Sequence, residues 1–279
     1  MNNPKCFQFN RLVRVLFLSA FFLLAGTAQA EVIRVSGVGL SAPLMQRLAA
    51  AYGQKQTVDS VSVVLPPLGS TGGIRAVVNG KLDLAIAGRL PTPEEQAQIG
   101  QAVELARTAF GFATSDGKRE RGITAADVAD IYAGRLVRWD DGQPIRLIMR
   151  PDRESDTILV RQISAQTDAA MTLAAARKGL LVANNDLDTI KLLESVPGSF
   201  GPTATGLARL QGSQIRFLAF DGVLPSARAV AEGKYPLSKP LYAIAARQPS
   251  EAVKRFMAFL QSAEAREIMI AADFVPANQ

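Results

Sequence analysis

"PLGSTGGIRAVV", Pro67 to Val78, sets three glycines and two hydroxyls into the five residues Gly69 to Gly73, between a β-branched run and an apolar, helix-like one. Val61 to Leu65 reads as the strand that enters it and Ile74 to Asn79 as the start of a short helix. The same order stands just upstream. In "EVIRVSGVGLSAPLMQRLAAAYGQ" (Glu31–Gln54), Val32 to Ser36 alternates like a strand and a helical pattern begins at Pro43 and runs through Leu44, Leu48 and Tyr52. "LDLAIAG" from Leu82 is apolar except at Asp83, the pattern of a parallel strand covered on both faces. Repeated strand, small-residue loop and helix predict an α/β fold.

A second region starts near Thr114, where the polar run "TSDGKRERG" suits a surface crossing. "ITAADVADIYAG" then places Thr124 and Asp127 in capping-box spacing and ends on Gly134, which predicts a compact helix. "IRLIM" from Ile145 reads as a strand feeding "RPDRESDT", with a helical pattern from about Ile158. Late in the chain "IRFLAF" and "KPLYAIA" are strand-like. "PSEAVKRFMAFLQS" carries Val253, Phe256, Met257 and Leu260 at i, i+3, i+4 and i+7 behind the cap residue Ser250, an amphipathic helix whose stripe belongs to the core.

Composition narrows the chemistry. A chain of 279 residues with 48% hydrophobic content can bury a sizeable core, in two lobes. Its N-terminus has Lys5, Arg11 and Arg14, an apolar run from Val15 to Ala25, and "AGTAQA" ending at Ala30, the pattern of a cleavable secretory signal over residues 1–30. "LLAGT" resembles a lipoprotein signal except that Thr27 stands at the position of the lipid-bearing cysteine. The single cysteine, Cys6, leaves with that segment, so neither a disulfide nor a thiolate is expected after processing. Processing also reduces 31 basic residues to 28 against 25 acidic ones, an excess that is spread rather than clustered, so no nucleic-acid surface is expected.

The chain has no histidine. That excludes a Ser-His-Asp triad, a Cys-His pair and a zinc site of the usual nitrogen and sulfur ligands; no enzyme, cofactor or metal site is expected. The loops instead suggest anion binding. "GSTGG" offers close backbone approach and the hydroxyls of Ser70 and Thr71, but Ile74 and Arg75 stand where a nucleotide P-loop needs Lys and Ser or Thr. "RPDRESDT" adds the planar donors of Arg150 and Arg153 and the hydroxyls of Ser155 and Thr157, which suit a tetrahedral oxyanion. In open α/β sheets such loops line a crevice beyond the strand ends.

At this point the chain resembles the periplasmic phosphate-binding proteins of ABC importers (PstS-like), within the type II solute-binding fold. "SGVGLSAPLM" resembles that family's first anion loop, "GSTGG" its second and "RPDRESDT" its third. "ITAADVADIYAGRLVRWDDG" is similar to its helix and Trp segment, and "FDGVLPSARAVAEGKYPLSKPLYAIA" to its return into the first lobe. The resemblance implies two lobes, residues 31–112 with 218–279 and residues 113–217, each a mixed sheet flanked by helices, with a cleft between. It implies anion contacts from the Leu40 main chain, Ser41, Ser70, Thr71, Arg150, Ser155, Asp156 and Thr157. It further implies a soluble, monomeric periplasmic protein that delivers phosphate or a similar oxyanion to an inner-membrane permease. A sensor or interaction module of the same fold, binding another anion or none, is the alternative.

Two departures from the family pattern bear on the ligand. After "LDLAIA" the family's phosphate binders carry an Asp that accepts a proton from the ligand, whereas Gly88 and Arg89 stand here. In the third loop Asp156 replaces a Gly, and the Arg-to-Ser spacing is one residue longer unless Arg153 is the counterpart. The expectation is that Arg89 and Asp156 face the cleft as a compensating pair, Arg89 adding charge and Asp156 reading the proton.

Overall fold

A computed structural model describes residues 30–55, 58–117, 119–120 and 122–277, so the expected signal lies outside the described residues save for Ala30. The chain opens with β1 (Val32–Gly37), α1 (Ser41–Gln54), β2 (Ser60–Val63), α2 (Gly69–Val78) and β3 (Leu84–Ala87). β1 pairs in parallel with both β2 and β3, and all four residues of β3 are buried, as its unbroken apolar run indicated. α1 starts at Ser41, two residues before Pro43, because a proline lacks only an N–H that the first helical turn leaves unpaired anyway.

"GSTGG" is not a loop but the first turn of α2, entered through Gly69 at φ 69°. A Cβ on Gly73 would stand 3.3 Å from the Gly37 Cα and from the Ala85 Cβ, so its bare backbone lets α2 lie directly on β1 and β3. The glycines therefore serve helix packing.

After α3 (Pro93–Gln96) the 13-residue β4 (Ala102–Thr114) carries the chain out of this unit. Then follow α4 (Ala125–Ala133), β5 (Arg146–Met149), α5 (Ser155–Arg161), α6 (Ala165–Ala175), β6 (Leu181–Val182), α7 (Asp186–Ser195) and β7 (Ser199–Ala204). α4 has the capping box its sequence indicated, Thr124 accepting from the Asp127 N–H and Asp127 from the Thr124 N–H, and it stops at Gly134 in the left-handed region. α8 (Thr205–Gln211), β8 (Arg216–Phe217), α9 (Ala227–Ala231), β9 (Ser238–Ala245), α10 (Glu251–Leu260), α11 (Ala263–Ala271) and β10 (Val275–Pro276) complete the fold.

The strand order is β2-β1-β3-β9-β4-β7-β5-β6, with β8 and β10 each paired to β4. β4 is common to two lobes: Ala102 to Ala109 pair with antiparallel β9, and Phe110 to Ala113 with antiparallel β7. Each lobe is thus a mixed sheet with helices on it. One core gathers Leu44, Leu48 and Tyr52 of α1 against Val253, Phe256 and Leu260 of α10, and Leu207 of α8 joins it. The other stacks Phe112 on Phe200 at 5.1 Å, with Trp139 at 6.1 Å from Phe200, and takes in Tyr235 just before β9.

Two glycines make opposite predictions. A Cβ on Gly37 would lie 1.9 Å from the Ile86 carbonyl oxygen, so Gly37→Ala should lower stability by about 1–3 kcal/mol or more. Gly53, on α1, has nothing within 4 Å of that point, so Gly53→Ala should raise stability by about 0.5–1 kcal/mol. Thermal and urea unfolding of both variants reads the two signs.

Candidate functional site

Within each lobe the parallel strands bring their carboxyl ends to one edge, and because β5 and β6 run opposite to β1 and β3 the two edges face each other, so the segments after β1, β3, β5 and β6 meet between the lobes. β9 runs antiparallel between β3 and β4, which brings its beginning, not its end, to the edge of β1 and β3. Lys239 sits at that beginning, opposite Thr108 of β4, and its side chain is almost completely buried.

The Lys239 ammonium donates to Asp156 Oδ1 of α5 and to Asp186 Oδ1 of α7, the latter at 2.5 Å. Arg150, directly after β5, lies beside both carboxylates: its Nε is 3.7 Å from Asp156 Oδ2 and its Nη2 is 3.8 Å from Asp186 Oδ2. Its guanidinium also donates to Glu154 Oε2 at 3.1 Å and to the Ala183 carbonyl and Thr189 Oγ1 at 3.3 Å. Two cations and two carboxylates with side-chain exposures of 4% or less form one cluster. Lys239 comes from the first lobe and the other three from the second, so the cluster spans the cleft.

Close approach of the lobes recurs at three first-lobe glycines. A Cβ on Gly39 would be 2.9 Å from Asp186 Oδ2, one on Gly69 3.5 Å from Glu154 Oε1, and one on Gly88 2.9 Å from Ser155 Oγ and 3.1 Å from Lys239 Cε. The Gly88 contact accounts for a departure noted in the sequence. The methylene stem of Lys239 and the Ser155 hydroxyl fill the space that an Asp at position 88 would need.

The charges respond to this packing. Burial and the neighbouring Asp186 charge push Asp156 above the ordinary carboxylate value, Lys239 and Arg150 opposing them. Asp186 is opposed by burial too, but Lys239, Arg150 and an N–H bond from Leu40 hold it down at about 2. Burial works against the Lys239 charge, yet the two carboxylates raise it above the ordinary lysine value. Burial raises Glu154 as well.

Of the residues expected from sequence, Arg150, Ser155 and Asp156 meet in this cluster. Ser155 Oγ and Arg150 Nε are both buried and have no hydrogen-bond acceptor among the described residues. The Leu40 amide is also there, its N–H lowering the pKa of the Asp186 carboxyl. Thr157 Oγ1 donates to the Arg150 and Pro151 carbonyls, bracing the loop. Ser41 Oγ donates to the Val38 carbonyl, and Ser70 Oγ accepts from the Gly88 N–H, so both support their own turns.

Three expectations need correcting. The partner of Asp156 is Lys239 and not Arg89, whose guanidinium is held by Glu95 at 2.7 and 2.9 Å and by Thr71 Oγ1 at 2.9 Å. Glu95 captures Arg89 because it is only six residues away on α3. That bond also engages the Thr71 hydroxyl. Arg153 is exposed, and Arg150 occupies the interior position, where Glu154 and Asp156 lie beside its guanidinium.

Lys239 and Asp186 were missed. Their signals were a lysine heading the otherwise apolar "KPLYAIA", and "ANNDLD", one more strand-to-helix turn with acid at the helix start. Among the described residues no group of three or more His, Cys, Asp or Glu could hold a metal ion, and no helix is long and apolar enough to cross a membrane.

A model of the PBP superfamily domain matches residues 25–264. The chain is similar to the phosphate-binding protein PstS of Bacillus subtilis, 21% identical over 287 residues that cover 94% of this chain and 92% of that one. Among solved structures it is similar to a chain from Clostridium perfringens assigned as a phosphate ABC transporter substrate-binding protein, with bound phosphate (TM-score 0.73, 19% identity, 88% of this chain and 100% of that one). It is also similar to an ABC-type phosphate transport receptor from Vibrio cholerae (TM-score 0.65, 21% identity, 88% and 100%). At these identities the structural likeness establishes the fold.

The ammonium is the group whose removal should be felt most. Lys239→Met leaves two buried carboxylates facing each other and should cost about 3–5 kcal/mol at neutral pH. Without Lys239 both carboxyls titrate above their unfolded values, so the folded form takes up protons first. The deficit should therefore narrow as pH falls through those values, which unfolding curves across pH would record.

Proposed function

Because the chain belongs to the PBP superfamily, we propose that it is a periplasmic solute-binding protein that closes its two lobes on a small oxyanion, phosphate, and presents it to the permease of an ABC importer. The leader pattern of residues 1–30 supports export, and the full-length likeness to a phosphate-binding protein supports the ligand. The observation that carries the reading is the pair of buried donors without an acceptor, Arg150 Nε and Ser155 Oγ, beside the Lys239 ammonium. Buried donors cost stability unless something accepts from them, and a tetrahedral oxyanion accepts in several directions at once.

The contacts we assign to the ligand are Arg150, Ser155, Lys239 and the Leu40 amide, with Asp156 reading the proton. Ser41, Ser70, Thr71 and Thr157 shape the walls, and in this reading the lobes divide where β4 changes partner from β9 to β7 and at the start of β9. No covalent step is involved. Binding rests on oriented N–H and O–H dipoles and two cations in a site that closure removes from water. The protein acts as a monomer in this reading.

Asp156 gives the reading a pH signature. Ionised, it accepts from the hydroxyl of hydrogen phosphate and repels sulfate; protonated, it donates to either. Since burial and Asp186 raise it above the ordinary carboxylate value, the preference for phosphate over sulfate should weaken as pH falls, and at a higher pH than an ordinary carboxylate would bring about. Asp156→Asn should lose most of that preference at neutral pH.

Calorimetric titration of the chain from Glu31 with phosphate and with sulfate tests all of this. We expect tight phosphate and weak sulfate binding, with affinity lowered about 10-fold in Ser155→Ala and about 100-fold in Arg150→Gln. A sensor-like module is favoured by one observation, that the cluster already satisfies much of its own charge. Absence of binding to either anion would select it.

A further inference from the structure

The Asp186 carboxylate holds three groups that an oxyanion would want. It receives the Lys239 ammonium at 2.5 Å, lies 3.8 Å from Arg150 Nη2, and has the Leu40 N–H helping to hold it ionised. Gly39 lets it come that close, since a Cβ there would stand 2.9 Å from Asp186 Oδ2 and 3.1 Å from its Cβ. A carboxylate presents the geometry and charge of one edge of a tetrahedral oxyanion. It differs in being tethered to α7, on the lobe facing the Leu40 loop. Resting on the reading of this cleft as an oxyanion site, we propose that Asp186 is a built-in competitor that occupies the ligand's contacts, holds the lobes together, and sets how much external anion is needed to replace it.

The physical argument is one of shared donors. Leu40 has one N–H, and the Lys239 ammonium has three, one given to Asp156 and one to Asp186, which leaves one. An incoming anion that engages the ammonium and the Leu40 N–H fully must displace Asp186 from them, and the apparent affinity falls by the fraction of molecules in which Asp186 stays there. Because Asp186 stays ionised down to about pH 2, this competition is present over the whole physiological range. Asp156 differs: it touches Lys239 and Arg150 but not the first-lobe amide.

The test compares inorganic phosphate binding to the wild-type chain, Asp186→Asn, Asp186→Ala and Glu154→Gln by titration, each with its melting temperature. We expect phosphate affinity to rise about tenfold or more in both Asp186 variants. Glu154→Gln, which removes a carboxylate bonded to Arg150 but not to Lys239, should change it much less. An equal rise in Glu154→Gln would mean a general field effect and overturn the proposal. Unchanged or weaker binding in the Asp186 variants, with wild type binding phosphate, would overturn it and leave the oxyanion reading standing. Folded wild type and folded Asp186 variants that all ignore phosphate would end both. Should the variants fail to fold, the wild type decides: saturating phosphate must shift the Leu40 amide resonance, and an unmoved resonance would refute the competition.

Discussion

The position of one ammonium group governs how the two lobes meet. Moving an isolated charge of this size into a protein interior costs several kcal/mol even after relaxation. Lys239 therefore sits at the cleft only because Asp156 and Asp186 are brought to it, one at the start of α5 and one at the start of α7. The carboxylates in turn need Lys239 and Arg150 against their own burial. Neither lobe can hold its part of the cluster in a dry site without the other, so separating the lobes must rehydrate all four charges.

Close backbone approach follows from that requirement. Gly39 and Gly88 lack side chains where Asp186, Ser155 and the Lys239 stem cross from one lobe to the other. The glycine after β3 and the lysine on β9 belong together, since the Lys239 stem stands 3.1 Å from where a Gly88 Cβ would be. Asp156 stands in the opposite lobe beside the same ammonium.

The α/β order was legible because covered parallel strands leave an uninterrupted apolar signature, as in "LDLAIAG", and because caps such as Thr124, Gly134 and Ser250 mark helix ends locally. The strand-to-helix turn "RPDRESDT" was legible as well, and its Arg150, Ser155 and Asp156 do come together. What escaped depends on pairing across long sequence distances. Lys239 is 83 residues from Asp156 and 53 from Asp186, and only the antiparallel insertion of β9 beside β3 turns its strand start toward the cleft. Arg89 misled for the opposite reason, since a local acid, Glu95, captures it before any cleft residue can. "GSTGG" suggested a ligand loop, but Gly73 is needed for α2 to touch β1.

The most direct measurement is a crystal structure of the chain from Glu31 grown with phosphate. The account predicts a tetrahedral anion within hydrogen-bonding distance of Arg150 Nε, Ser155 Oγ and Lys239 Nζ, with the Leu40 amide turned to it and the Asp186 carboxylate moved away. Phosphate bound elsewhere, or a cluster unchanged with Lys239 still shared between Asp156 and Asp186, would contradict it.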